Sequence, residues 1–222
     1  MAAPVIEVKE LVKKYNGRKA VLDGISFSVS PGDFVMVYGK SGCGKTTLLN
    51  VLGGLDRPTS GLVAIDGEDI VDMSEDQLAK LRLRKIGFVF QDFNLLPELT
   101  VRENIALPLK LSKTRDPEKV SEVMEKFDID QIAGETANKI SGGEAQRTAI
   151  ARAMMNGPKI ILADEPTGNL DSENTENVMN IFELVTRDYG TTIVLATHDK
   201  DLSKHSSVRL YLDEGKATLK KD

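Results

Sequence analysis

The strongest constraint in this sequence of 222 residues is a glycine-rich stretch between a predicted strand and a predicted helix. Gly39–Thr46 reads Gly-Lys-Ser-Gly-Cys-Gly-Lys-Thr and fits the pattern G-x-x-x-x-G-K-[ST]. The apolar run Phe34–Tyr38 precedes it, and a helical pattern, Lys45–Leu52, overlaps its end. Glycines here let backbone N–H groups converge on phosphate oxygens, while the helix N-terminus adds partial positive charge. The stretch therefore predicts a nucleotide-binding loop in which Lys45 reaches the β- and γ-phosphates and the Thr46 hydroxyl binds Mg²⁺.

The rest of the chain alternates between apolar runs with strand character and helical patterns. Strands are predicted at Val5–Lys9, Ile25–Val29, Phe34–Tyr38, Leu62–Asp66, Ile86–Phe90, Ile160–Ala163, Thr192–Ala196 and Val208–Leu212. Helices are predicted at Lys45–Leu52, Ser74–Leu81, Val101–Leu111, Pro117–Phe127, Gly143–Met155, Ser172–Arg187 and Asp199–Lys204. The first third suggests antiparallel hairpins, whereas the strand–helix alternation of the last third requires a parallel sheet.

We therefore expect an α/β fold in a single domain, residues 1–222, with a mixed or parallel sheet at its centre. Residues 1–91 and 157–222 would form the α/β core with an antiparallel β flank. Residues 92–156 would form an inserted helical lobe. This organisation follows from the almost wholly helical pattern in the middle third of the chain.

Composition excludes several classes of protein. Hydrophobic residues make up 41% and charged residues 28%, which are values of a globular chain. The net charge of −5 gives no hint of a basic face for nucleic acid. No apolar run approaches the roughly 20 residues of a membrane-spanning helix, and the N-terminus has no signal-peptide pattern. The sequence predicts a soluble, intracellular protein with no nucleic-acid partner.

Two further motifs carry chemistry. The apolar run Ile160–Ala163 ends in Asp164 and Glu165, which strand alternation points in different directions. In phosphoryl transfer, one such carboxylate holds Mg²⁺ through water while another residue orients the attacking water. The stretch Ser141–Glu144 precedes a predicted helix, and its residues alone leave two interpretations open. It is either a serine N-cap with flexible glycines or a second phosphate-binding helix start.

Together these motifs resemble those of the ABC-type ATPases, and the resemblance runs from Val5 to Leu212. In chain order they are Tyr15 at the adenine-stacking loop, Gly39–Thr46 as Walker A, Gln91 as the Q-loop glutamine, Ser141–Arg147 as the signature, Ile160–Glu165 as Walker B, Asn169–Asp171 as the D-loop and His198 as the switch histidine. The chain departs from the usual family pattern at Ile140, Glu144 and Ala145. None of these changes removes a donor on which the phosphate contact depends.

The resemblance implies binding of ATP and Mg²⁺ and hydrolysis of ATP. It assigns nucleotide contacts to Tyr15, Gly39, Ser41, Gly42, Cys43, Gly44, Lys45, Thr46 and Thr47 and, across a dimer of two chains, to Ser141, Gly142, Gly143 and Glu144. It assigns Mg²⁺ binding to Thr46, Gln91 and Asp164. Glu165 would be the general base or water-positioning residue, and Lys45, Gln91 and His198 would complete the catalytic set. His205 lacks such a context, and we expect it to lie at the surface.

Three segments narrow the resemblance to the subgroup of lipoprotein-release, macrolide-export and cell-division ATPases. These segments are Leu55–Gly61, Phe88–Pro97 and Asp164–Asp171. Members of the subgroup work with separate membrane subunits, which implies a permease that docks near Gln91–Pro97 and holds this chain at the inner face of the cell membrane. Phe93, Leu95, Leu96 and Leu99 are unusually apolar for a loop, so they either receive a short permease helix or belong to the core.

Two other functions stay open at this point. One is an ATP-dependent regulatory or mechanotransmission subunit of a cell-envelope or cell-division complex, without transport. The other is an ABC ATPase that acts on DNA or ribosomes. The second is disfavoured, because such proteins carry a long coiled coil or a second cassette that 222 residues do not accommodate. The cargo and the direction of transport are not encoded in any motif of the chain.

Overall fold

The computed structural model describes residues 3–15 and 19–221. Its strands are β1 Ile6–Lys13, β2 Leu22–Val29, β3 Phe34–Tyr38, β4 Ser60–Ile65, β5 Glu68–Asp69, β6 Ile86–Phe90, β7 Ile160–Asp164, β8 Thr192–Thr197, β9 Val208–Asp213 and β10 Lys216–Lys221. Its α-helices are α1 Lys45–Leu52, α2 Glu75–Lys85, α3 Val101–Leu111, α4 Pro117–Lys126, α5 Gly142–Met154 and α6 Ser172–Tyr189. Short 3₁₀ helices span Asp130–Ile132, Ala137–Lys139 and Asp201–His205.

The strands form two sheets. The order in the first is β2-β1-β4-β5, and all its pairs are antiparallel. The second has the order β10-β9-β3-β8-β7-β6 and is parallel except for the β9–β10 hairpin. The predicted α/β fold with a mixed sheet and an antiparallel flank is therefore confirmed.

The six-stranded sheet is covered on both faces, which explains why its central strands read as continuous apolar runs. All five residues of β3 are buried. Alternation sends Val35 and Val37 into one apolar cluster, with α1 and the antiparallel sheet. It sends Phe34 and Met36 into a second cluster, with α3, α4, α5 and α6. Because β3, β6, β7 and β8 run parallel, their carboxyl ends meet at one edge, where ligands bind in sheets of this type.

The end of the chain differs from the predicted elements in two ways. The predicted helix Asp199–Lys204 is the 3₁₀ helix Asp201–His205. The edge strand β10, which pairs with β9 and ends in the exposed Lys220 and Lys221, was not predicted. Lysine is common on edge strands because it blocks further strand pairing, so β10 has little of the apolar alternation that identifies a strand.

The apolar segment after β6 is neither core nor fully exposed. Leu96 is 43% exposed, while Phe93, Leu95 and Leu99 are half-buried. None of these four side chains enters either buried cluster. The interpretation of this segment as core is therefore wrong.

Candidate functional site

The predicted phosphate loop connects β3 to α1 and needs glycine at three positions. Gly42 and Gly44 have φ values of 77° and 110°, a region that L side chains rarely adopt. Gly39 packs so closely on the Cys43 sulfur and the Leu212 carbonyl that a Cβ would overlap them. Cys43 therefore uses its side chain to fill space under the loop, and its contribution to a ligand would come from the backbone.

The N-terminus of α1 differs from those of the other α-helices. Side-chain oxygens cap the N-termini of α2, α3, α4, α5 and α6, from Ser74, Thr100, Asp116, Ser141 and Asp171. The N-cap of α1 is Gly44, which offers no side-chain acceptor, and the first turn holds no acidic residue. The first amide groups of α1 therefore have no side-chain acceptor among the described residues. A helix N-terminus without a capping side chain is a favourable binding site for an anion such as phosphate.

Lys45 lies at this helix start and points into a cavity. The cavity measures about 390 Å³ and is lined by Val21, Ser41, Gly42, Gly44, Lys45, Thr46, Thr47 and Glu165. The Lys45 side chain is only 7% exposed. Its Nζ donates to the Gly39 carbonyl at 2.9 Å and lies 3.5 Å from Glu165 Oε1. The fold thus brings together a buried cation and a carboxylate that are 120 positions apart in the chain.

Glu165 follows β7 with a strained backbone. Its φ is 45°, and its N–H donates to the Ala196 carbonyl of β8 at 2.9 Å. A non-glycine residue pays for such a φ, and this strain is common at functional sites. Glu165 Oε2 lies 3.0 Å from Nδ1 of His198, while Oε1 faces Lys45. The carboxylate is therefore held between two nitrogen groups at the mouth of the cavity, where it could accept a proton from water.

Asp164 provides the test of whether the site suits Mg²⁺. Its Oδ1 is buried and has no hydrogen-bond partner among the described residues. Burial raises the pKa of Asp164, a hydrogen bond with Thr46 lowers it, and the charge of Glu165 raises it further, with an upward net shift. A buried carboxylate oxygen without a partner is costly, and a cation beside it would remove that cost. Asp164 and Thr46 together therefore fit a Mg²⁺ ion.

The protein alone does not supply a complete metal site. No group of three or more His, Cys, Asp or Glu side chains in the described part of the chain is placed to hold an ion. Mg²⁺ characteristically keeps waters and substrate phosphate oxygens in its coordination shell. The two ligands Thr46 and Asp164 are thus consistent with an ion that arrives with a nucleotide.

Gln91, predicted to contact Mg²⁺, is engaged elsewhere. Its side-chain amide donates to Asn169 Oδ1 at 3.1 Å, and Asn169 Nδ2 lies 3.3 Å from both the Gln91 carbonyl and Asp92 Oδ1. Gly168 permits this approach, because a Cβ there would lie 2.9 Å from Gln91 Nε2. The sequence motifs named Gln91 and Asn169 separately but did not reveal this contact. Gln91 would have to leave Asn169 to reach a metal.

Tyr15 lies beside the loop, next to a residue that the sequence analysis missed. Its ring is 41% exposed. Its hydroxyl donates to Asp56 Oδ2 at 2.5 Å, and Thr47 in the first turn of α1 is near enough to act on the pKa of Tyr15. In the sequence, Asp56 is a lone carboxylate in the turn after α1. Nothing in the sequence distinguishes it from an ordinary turn residue.

The predicted signature residues form a capped helix start away from the cavity. The Ser141 hydroxyl and N–H donate to Glu144 Oε2 at 2.7 and 2.8 Å, and Glu144 N–H donates to Ser141 Oγ at 3.4 Å. These hydrogen bonds from Ser141 lower the pKa of Glu144. No residue of Ser141–Glu144 lines the cavity at Lys45. The N-cap interpretation is therefore confirmed within one chain, and a phosphate contact would require another chain.

The prediction for His205 was wrong. Its side chain is only 5% exposed, and its Nδ1 lies 2.6 Å from Glu183 Oε1. Its Nε2 lies 3.5 Å from Glu176 Oε2. The side chain is buried against α6, where Glu183 is hydrogen-bonded to it.

A glycine loop around an uncapped helix start, with a buried lysine facing the acidic end of another parallel strand of the same sheet, defines a P-loop nucleotide-binding protein. The protein-family model described as ABC transporter matches residues 22–168. The chain accordingly belongs to the ABC transporter family and is an ABC-type ATPase. No helix in the described ranges 3–15 and 19–221 is long and apolar enough to cross a membrane.

Curated relatives agree with the predicted subgroup. The macrolide export ATP-binding/permease protein MacB of Syntrophobacter fumaroxidans is 46% identical over 208 residues, which cover 90% of this chain and 29% of that protein. The chain therefore spans less than a third of the MacB length. The lipoprotein-releasing system ATP-binding protein LolD of Leptospira interrogans is 41% identical, and the match covers 98% of this chain and 92% of LolD.

Solved structures show the same fold. The dimeric structure of the ATP-binding cassette MJ0796 in a post-hydrolysis state, bound to ADP and Pi, matches with a TM-score of 0.88 and 38% identity. This match covers 97% of our chain and 98% of MJ0796. The structure of cbiO1 from Clostridium perfringens matches with a TM-score of 0.89 and 27% identity, over 99% of our chain and 89% of cbiO1.

Proposed function

We propose that this chain is the ATP-hydrolysing subunit of a transporter, in which two copies enclose ATP and drive a separate membrane permease of the lipoprotein-release or macrolide-export type. The observation that carries the proposal is the contact of Lys45 with Glu165, beside the uncapped start of α1. A cation and helix amides suit the β- and γ-phosphates, and the carboxylate suits the attacking water. The names of LolD and MacB support the subgroup.

Each predicted residue then has a role in hydrolysis. Backbone amides of Gly39–Thr47 and the Lys45 ammonium bind the phosphates. Thr46 and Asp164 would hold Mg²⁺, which neutralises charge on the phosphate oxygens when it is bound. Glu165 orients the water and accepts its proton, while His198 holds the Glu165 carboxylate from the other side and reaches the γ-phosphate. Gln91 joins this end of the site after it leaves Asn169.

A second copy would complete the site. Ser141–Glu144 lies outside the cavity of its own chain, and its glycine amides would contact the γ-phosphate of a partner, joined by the Ser141 hydroxyl once that hydroxyl leaves Glu144. The match to dimeric MJ0796 supports this arrangement. We further propose that residues 1–91 and 157–222 act as the core and residues 92–156 as a lobe of one cassette, and that the assembly lies at the cytoplasmic face of the membrane.

A groove beside the lobe supports the permease part of the proposal. Its apolar lining includes Leu55, Leu83, Phe88, Phe90, Pro108 and Leu111. Leu55 is 50% and Leu111 64% exposed, which is unusual for large apolar side chains. Arg152 also lines the groove and donates to the Phe93 and Asn94 carbonyls, so the groove borders the predicted docking segment Gln91–Pro97. An apolar groove of this kind suits an amphipathic helix of the permease.

The permease contact can be tested by membrane retention. Leu111→Glu places a charge in the groove, and we expect a clear loss of the chain from the native membrane fraction, because the charge would be buried against an apolar helix. The measurement is the fraction of tagged chain that sediments with native membranes. Tyr211→Glu changes an exposed side chain outside the groove and is the matched control. Full retention of Leu111→Glu would contradict docking in this groove.

Adenine stacking on Tyr15 has a direct optical test, because the chain contains no tryptophan. In Tyr15→Trp, ATP should change the indole emission clearly, since a stacked base alters its environment. Tyr211→Trp, in an exposed position that does not line the nucleotide cavity, should not respond. An unchanged Tyr15→Trp emission, with ATP binding confirmed by equilibrium dialysis, would remove Tyr15 from the site.

A further inference from the structure

The end of β1 carries a buried lysine close to the nucleotide cavity. Lys13 is only 8% exposed. Its Nζ donates to Asp56 Oδ1 at 2.6 Å and to the Arg57 carbonyl at 2.7 Å, and lies 4.6 Å from the centroid of the Tyr15 ring. An ammonium has three donors, and these three contacts account for them. Burial of a charge is costly unless the charge is paired. Because the buried Lys13 ammonium is fully paired, these contacts fix its position.

The second carboxylate oxygen of Asp56 completes a cluster of Lys13, Asp56 and Tyr15. This atom, Oδ2, accepts the hydrogen bond from the Tyr15 hydroxyl at 2.5 Å. Burial raises the pKa of Asp56, but hydrogen bonds from Lys13 and Tyr15 outweigh it and leave that pKa below its ordinary value. Burial and the hydrogen bond to Asp56 raise the pKa of Tyr15. At neutral pH the aspartate is therefore an anionic acceptor and the phenol a donor.

The cluster is anchored to the secondary structure on each side. The Asp56 N–H donates to the Asn50 carbonyl of α1 at 3.2 Å. The Arg57 guanidinium donates to the carbonyls of Val71 and Met73, which precede α2. Through Asp56, the Tyr15 hydroxyl is therefore linked to α1. Tyr15 is thus connected to the same helix that carries Lys45, although its ring stays 41% exposed.

We propose that Lys13 and Asp56 are positioning residues that hold the Tyr15 ring in place for the adenine base. This inference rests on the proposed function, in which Tyr15 stacks on adenine. A ring fixed before binding spares the nucleotide the entropy cost of immobilising it. The ammonium on one side of the ring leaves the opposite face for a base. The mechanism as derived from the motifs contains neither Lys13 nor Asp56.

The test is a double-mutant cycle with ADP, which carries the base but does not require the closed dimer. We expect Asp56→Asn to weaken ADP binding about 2- to 10-fold by titration calorimetry, the effect of releasing one ordered side chain. In the Tyr15→Ala background the same change should have no further effect, because no ring remains to be positioned. In steady-state assays KM for ATP should rise while kcat at saturation stays near the wild-type value.

Asp66→Asn is the matched control, because Asp66 also pairs with a lysine at 2.7 Å, Lys85, but is not the carboxylate to which the Tyr15 hydroxyl donates. It should bind ADP as the wild type does. Tyr15→Phe removes only the hydroxyl tether and should reproduce the weakening, even if Asp56→Asn folds poorly.

Two results would overturn the positioning role alone. One is that Asp56→Asn weakens ADP binding equally in the wild-type and Tyr15→Ala backgrounds. The other is that Asp56→Asn and Tyr15→Phe leave ADP affinity unchanged although Tyr15→Ala clearly weakens it. Unchanged affinity in Tyr15→Ala would overturn both stacking and positioning, while weakened ADP binding in Lys45→Ala would show that the phosphate site still stands.

Discussion

Glu165→Gln should bind ATP and lose its hydrolysis, with phosphate release reduced about 10²- to 10⁴-fold, the range for removal of a general base. The substitution keeps the size of a side chain whose two oxygens face Lys45 and His198. Nucleotide affinity should survive, because the loop amides and the Lys45 ammonium remain. Only the anionic acceptor for the proton of water is removed.

The same variant should accumulate as an ATP-bound dimer, because closure no longer leads to hydrolysis. Size-exclusion chromatography with and without ATP measures this species, and phosphate release measures turnover. Glu118→Gln is the matched control, since Glu118 is exposed in the first turn of α4. Wild-type turnover by Glu165→Gln would move the general base to another residue.

Gly142→Asp should separate nucleotide binding from hydrolysis. A Cβ at Gly142 would meet only Leu170 and Phe93, at ordinary contact distances of 3.5 and 3.7 Å, so the chain should fold and bind ADP normally. In the proposed dimer the new carboxylate would face the γ-phosphate of the partner, where like charges repel. We expect ATP-dependent dimers to disappear and turnover to fall at least about 10²-fold, as when one preorganised donor is lost.

The controls for Gly142→Asp separate the effect of the new charge from that of the added size, and nucleotide binding by one chain from dimerisation of two. Gly142→Ala adds a Cβ without a charge and should retain more activity than Gly142→Asp. Gly143 is unsuitable, because a Cβ there would overlap the Asn174 side chain within the same chain. Calorimetry with ADP and sedimentation with ATP supply the two readouts.

Mixing Gly142→Asp with Lys45→Ala provides the decisive complementation. One of the two sites in a mixed dimer combines an intact Lys45 with an intact Ser141–Glu144 stretch from the other chain. Partial activity should therefore appear in the mixture and be absent from either variant alone. A Gly142→Asp chain that hydrolyses ATP normally as a monomer would disprove the two-chain mechanism.

The sequence by itself determined the central strands, the phosphate loop and its helix. Strands β3 and β6 and helices α1 and α3 have the predicted bounds. The reason is local. Strand β3 is buried on both faces and therefore apolar at every position, and a glycine loop before a helix is required by its own backbone. The order of the motifs was also sufficient to identify the ABC family, which the family match confirms.

Only the tertiary structure decided which distant side chains meet. Lys45 reaches Glu165 because β3 and β7 both flank β8, a neighbour relation that no local pattern encodes. The contact of Gln91 with Asn169 and the burial of His205 arise in the same way. Strand β10 was missed because pairing with β9, rather than apolar alternation, makes it a strand. Asp56 resembles an ordinary turn residue until the fold sets it between Lys13 and Tyr15. The apolar periodicity of the sequence indicates which face of each strand or helix is buried. Polar contacts between different elements depend instead on where the sheet topology puts the ends of those strands and helices.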